Sequence, residues 1–133
     1  MRQAYTFGMA VAVALTALAF GAPAQAEEYG PLQVIDAGSF GKVLADAKGM
    51  PLYTFDKDAP GKSNCNGECA TNWPPVMATA ADKPVGDLKI ITRDDGSLQW
   101  ADGDKPLYTF INDKAAGQVT GDGKGGVWHV IKE

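Results

Sequence analysis

The chain has 133 residues, 45% of them hydrophobic, with 12 basic residues against 16 acidic ones and a formal net charge of −4. Phosphate backbones and anionic membrane surfaces select clustered Lys and Arg; here the basic residues are few and scattered among acids, which argues against nucleic acid and against an anionic bilayer as partners. The length suits one domain with a modest core.

Residues 1–26 read as a signal peptide. Arg2 supplies the positive charge, an apolar run extends from Phe7 to Phe20, and Ala24-Gln25-Ala26 fits the small-x-small cleavage pattern. The run is shorter than the roughly 20 residues a spanning helix needs, and no later segment is apolar enough, so no stable membrane span is expected after cleavage. Removing 26 of the 133 residues leaves 107, a single domain over 27–133 in the periplasm or outside the cell. No cysteine sits at the mature start to carry a lipid.

Gln33-Val34-Ile35-Asp36 predicts a strand. Residues Phe40–Phe55 read as a β-hairpin that turns at Lys48-Gly49. In its returning strand Leu52 and Thr54 share one face, Tyr53 and Phe55 the other; Tyr53 then points inward, its hydroxyl seeking a partner. Residues 56–69 form a long polar loop, and Glu68–Trp73 a short helical turn stopped by Pro74-Pro75. An Ala-, Asp- and Pro-rich connection over 77–87 leads to a strand at Leu88–Arg93, a turn at Asp94-Asp95-Gly96 and a second hairpin, Ser97–Ala101 with Lys105–Phe110. A glycine-rich loop, Ile111–Gly126, and a β-rich segment, Val127–Ile131, close the chain.

Pro51-Leu52-Tyr53-Thr54-Phe55 reappears as Pro106-Leu107-Tyr108-Thr109-Phe110, an offset of 55. Asp58 meets Asp113, Trp73 meets Trp128, Gly41 meets Gly96 and Ile35 meets Ile90 at the same offset, with no gap. A shared period over so many landmarks points to one supersecondary unit present twice, over about 33–78 and 88–133. Two units are too few for a propeller or solenoid. The expected fold is all-β: two tandem, pseudo-symmetric, hairpin-containing repeats in a small antiparallel sandwich or partly open barrel, with little helix. Trp73, Trp100 and Trp128 are expected in its core.

Three groups of residues carry candidate chemistry. Tyr53, Asp58, Tyr108 and Asp113 could line a rim that binds a small polar ligand or a cation through oxygens; equally, the carboxylates could shape loops by accepting backbone N–H groups while the phenols tie down the chain. Cys65 and Cys69, the only cysteines, suit one disulfide in an oxidising compartment. The alternative is a copper site in which the two thiolates take Cu(I) with His129 adding a nitrogen, or reversible thiol redox chemistry. Asp56-x-Asp58 only faintly fits a calcium loop, since Pro60 stands at a ligand position and Gly67 where a bidentate Glu belongs. No nucleophile lies near His129 in sequence, and Ser39, Ser63 and Ser97 lack a supporting pattern.

The fuller pattern is Leu52-Tyr53-Thr54-Phe55-Asp56-Lys57-Asp58, then Cys65-x3-Cys69-Ala70, then Trp73-Pro74-Pro75. On these residues the chain resembles a bacterial secreted repeat family known by its Tyr-x4-Asp motif and often described as predicted lipoproteins. The likeness covers nearly all of the mature chain and implies export, not a reaction. The expected role is a non-enzymatic binding or interaction module of the bacterial envelope, without a cofactor, its partner an envelope protein or a small polar ligand.

Overall fold

The computed structural model describes residues 29–133; the signal peptide expected over 1–26 lies outside them. Among the described residues the strands are β1 (Gln33–Asp36), β2 (Lys42–Ala45), β3 (Tyr53–Phe55), β4 (Met77–Ala78), β5 (Leu88–Thr92), β6 (Leu98–Asp102), β7 (Lys105–Pro106) and β8 (Trp128–Val130). The α-helix, α1 (Glu68–Asn72), is a little over one turn long and ends before Pro74. Short 3-10 turns occupy Gly38–Phe40 and Lys124–Gly126. All strand pairs are antiparallel and the sheets do not close into a barrel.

β1 pairs with β2, and β5 with β6, so each repeat opens with a hairpin. The chain then turns back, Ala45 bridging Pro51 in one repeat and Ala101 bridging Pro106 in the other. The hairpin expected over Phe40–Phe55 is therefore corrected at both ends. Lys42–Ala45 has β1 as its other neighbour, and β3 leaves it to pair with β8.

The gapless alignment of the repeats is also corrected. Leu52 N–H donates to Leu44 O, and Leu107 N–H to Trp100 O. Leu107 thus stands 55 residues after its equivalent, but Trp100 stands 56 after Leu44. The difference lies in the turn: residues 46–50 separate Ala45 from Pro51, whereas 102–105 separate Ala101 from Pro106. The longer turn is built on Asp46, whose Oδ1 accepts the N–H groups of Lys48 and Met50. At Gly49 the backbone has φ 84°, and a Cβ would lie 2.8 Å from that of Ala116, so only glycine fits. Ahead of this turn Val34 is therefore the counterpart of Ile90, both packed against the same leucine-rich cluster, while Ile35 packs elsewhere. Likewise Gly41 corresponds to Ser97, whose carbonyls accept from Ala37 and Arg93.

The last strand of each repeat belongs to the other repeat's sheet. β4 pairs with β6, Val76 N–H donates to Leu107 O, and Trp100 N–H donates to Val76 O. By the same plan Ile131 N–H donates to Leu52 O, Leu44 N–H to Ile131 O, and Lys132 bridges Val43. Midway, Tyr53 and Tyr108 exchange both backbone hydrogen bonds, at 2.8 and 3.0 Å. A residue bonded to its own counterpart marks the pseudo-twofold axis.

Strand alternation divides the interior. Leu52 and Leu107 face a cluster with Leu32, Leu44, Leu88 and Trp100. Tyr53 and Tyr108, the next residues along, face an aromatic cluster with Trp73, Trp128 and Phe110. Burial of these aromatics dominates a domain this small, each worth on the order of 150–250 Å² removed from water.

Candidate functional site

The doubled motif brings its four side chains together, but across the repeats. The Tyr53 hydroxyl donates to Asp113 Oδ2 at 2.6 Å, and the Tyr108 hydroxyl to Asp58 Oδ2 at 2.8 Å. Both tyrosines are fully buried and Asp113 is 5% exposed; Asp58 is half-buried. The remaining carboxylate oxygens hold loops. Asp113 Oδ1 accepts the N–H of Thr120 at 2.8 Å and its hydroxyl as well. Asp58 Oδ1 accepts the N–H of Asn64 at 2.7 Å. Burial, and then the bond to Asp113, pushes the Tyr53 phenol well above its ordinary pKa; burial does the same for Tyr108. Burial also raises the Asp58 carboxyl, against the opposing pull of Asn64, Tyr108 and Arg93.

Beside the phenols runs a stack of four rings. Trp73 and Trp128 lie face to face at 3.8 Å and 3° on either side of the axis. Phe110 stacks on Trp73, and Phe55 on Trp128, each at 4.1 Å. Tyr53 meets Trp73 edge-on at 5.2 Å, and Tyr108 meets Trp128 at the same distance. Gly121 lies against this stack: a Cβ there would come within 2.7 Å of Trp73 and 2.9 Å of Phe110.

Around the two tyrosines the repeats differ. The Tyr53 oxygen also accepts Gly121 N–H at 3.1 Å. The Tyr108 oxygen meets Ser63 Oγ at 2.6 Å, and Arg93 donates to that Oγ at 3.0 Å. Tyr108 gives its one proton to Asp58, so Ser63 must donate to Tyr108 while accepting from the guanidinium, and the order runs Arg93 to Ser63, Ser63 to Tyr108, Tyr108 to Asp58. Arg93, 6% exposed, further donates to Gln99 Oε1, Cys65 O and Asn66 Oδ1. The gapless alignment hides this hub by setting Arg93 against Gly38. In the hydrogen-bonded register it faces Ala37, and Gln99 faces Val43, so two apolar positions of one repeat turn polar together in the other.

Cys65 and Cys69 are joined, with sulfurs 2.04 Å apart. Cys65 is buried in the aromatic cluster and Cys69 is half-buried at the start of α1. His129 is exposed on β8, and its Nε2 lies 2.8 Å from Asp56 Oδ2. Among the described residues, no group of three or more His, Cys, Asp or Glu is disposed to hold a metal ion. The sulfurs, bonded to each other, offer no thiolate unless reduced.

One polar groove of about 230 Å³ opens at the seam between the repeats. Thr54, Phe55, Asp56 and Asp58 line it from the first repeat, Asp104 and Lys105 from the second. Asp58 thus has two faces, one bonded to Tyr108 and one toward the groove. Gly61 N–H donates to Asp104 O at 2.8 Å and ties the two walls together.

No helix among the described residues is long and apolar enough to cross a membrane. No curated protein and no solved structure matches the chain. Residues 34–77 and 89–132 each match a family described as a secreted repeat of unknown function. The two matches span most of the chain and coincide with the two halves of the pseudo-symmetric fold, and the protein therefore belongs to this family of secreted repeats.

Proposed function

We propose that the protein is a non-enzymatic binding module of the bacterial envelope that holds a small polar, cationic ligand, or the cationic side chain of an envelope protein, in the groove at the repeat seam. One observation carries the reading: Asp56, Asp58 and Asp104 line the groove beside one lysine, Lys105, with Asp56 also paired to the exposed His129. An ammonium group can be recognised by such a set through charge-assisted hydrogen bonds. The walls are preorganised, since Tyr108 fixes Asp58 and the backbone bond from Gly61 fixes Asp104. The buried phenols are not in contact with the ligand under this reading; they shape the site from behind.

NMR titration with a small diamine tests it. Shifts should gather at residues 54–60 and 104–106 and weaken at least tenfold in Asp104→Asn, with the melting temperature unchanged. Shifts spread over the surface, or unaltered by Asp104→Asn, contradict the reading.

A second reading assigns Cys65 and Cys69 to copper binding or thiol redox exchange; His129, expected as an added ligand, is not grouped with them and lies on Asp56 instead. That reading is favoured by the half-exposed Cys69, through which a thiol could enter. Cu(I) competition on the reduced protein decides it: affinity lost in Cys65→Ala supports copper, and equal affinity dismisses it.

A further inference from the structure

We infer that the surface joining the two repeats is a symmetric interface that a second copy of this chain can satisfy, the copies exchanging repeats about the connection 79–87. The hydrogen bonds, not the covalent link, define which strands belong together. Residues 76–78 complete the sheet of the second repeat and residues 131–133 that of the first. Both tyrosine–carboxylate bonds, the Trp73–Trp128 stack and the Arg93 contacts to Ser63, Cys65 and Asn66 also cross between repeats. The disulfide lies within one repeat and does not fasten the two. Nothing in this set requires that the partner repeat come from the same chain, which is the condition for exchange of identical elements between protomers.

The connection is tied down at its far end, where Val85 bridges Leu88 and lies against Gly30 and the Asp87 carbonyl accepts Gly103 N–H at 2.7 Å, but its first part is open. Thr79, Ala80, Ala81, Lys83, Pro84, Gly86 and Asp87 are exposed. Asp82 bonds only to the nearby Thr79. β4 and β5 flank β6, with Ala78 opposite Leu98 and Leu88 opposite Asp102. Two strand spacings sideways and four residues along β6 give a span of roughly 16 Å from Ala78 to Leu88. Removing 79–85 leaves Gly86 and Asp87, which reach at most about 11 Å. A chain so shortened cannot fold back on itself but can place its second repeat on another copy.

The test is the mass of the 79–85 deletion variant by light scattering, together with the near-ultraviolet circular dichroism of the Trp pair. The expected result is twice the monomer mass with the tryptophan signal of the full chain. A folded monomer, or loss of the tryptophan signal in every species, overturns the exchange. A second measurement does not depend on that variant folding. A protease site placed between Ala80 and Ala81 of the full chain is cut, and isotopically labelled and unlabelled samples are mixed through mild denaturant and back. Halves that remain together and form hybrid species in native mass spectrometry support the proposal. Halves that part, or parental masses alone, overturn it.

Discussion

The pockets around Tyr53 and Tyr108 are built to the same plan with different materials. Each phenol donates to the aspartate of the opposite repeat, and each ring stands edge-on to a tryptophan. The Tyr53 pocket is completed by backbone and a threonine, with Gly121 and Thr120 closing a glycine-rich loop. The Tyr108 pocket is completed by a buried cation, Arg93, which reaches through Ser63 and binds the loop that the disulfide also fastens. The cross-bonded tyrosines and stacked rings are thus what the architecture demands, because both halves have them. The arginine hub, from the second repeat, and the disulfide, from the first, both lie on the Tyr108 side alone, and they fasten the loop whose start forms one wall of the polar groove.

The largest effect should come from the shared stack. Trp73→Ala and Trp128→Ala should each destabilise by about 3–5 kcal/mol in urea unfolding, and by similar amounts, since the two rings are counterparts. A marked inequality would break the symmetry argued here. Next comes the unshared hub. Arg93→Met leaves Gln99, Ser63 and the Cys65 carbonyl short of a donor and should cost about 2–4 kcal/mol. Adding Gln99→Val, the residue type of the other repeat, should recover part of that loss, a coupling of about 0.5–3 kcal/mol; strict additivity would separate Gln99 from the hub.

Tyr53→Phe and Tyr108→Phe should each cost about 1–3 kcal/mol, measured the same way. The two costs should be similar, because each change strips two groups of a partner, Asp113 and the Gly121 N–H in one pocket, Asp58 and Ser63 in the other; a marked inequality would mean that the pockets' unshared surroundings outweigh the shared bond. The smallest effect concerns pH. The folded Asp58 carboxyl has its pKa raised by burial, so the native state holds more protons than the unfolded chain from about pH 4 up to that raised value. Stability from this group is therefore lost as pH rises through that window. Melting curves should show the parent losing ground to Asp58→Asn as pH rises through this range; a parent that gains on the variant has the opposite sign.

Much of this was legible in the sequence. The duplicated Pro-Leu-Tyr-Thr-Phe segments announced two copies, their alternation set Leu52 and Tyr53 on opposite faces, and Pro74-Pro75 marked the end of the helical turn. What was not legible depends on partners. A strand's local residues do not say that Met77-Ala78 joins β6, or that Tyr53 bonds Asp113 rather than Asp58. A one-residue difference between turns was masked by matches such as Ile35 with Ile90, which kept the wrong register plausible through the first strands. Arg93 was invisible for that reason. Set against Ala37, with Gln99 against Val43, it would have stood out as a paired polar change.

The central claim is that each motif tyrosine is locked to the aspartate of the other repeat. A double-mutant cycle of Tyr53→Phe with Asp113→Asn, run beside one of Tyr53→Phe with Asp58→Asn, tests it most directly. The account predicts a coupling of about 1–2 kcal/mol in the first cycle and less than about 0.5 kcal/mol in the second. Coupling concentrated in the Tyr53–Asp58 cycle would contradict it.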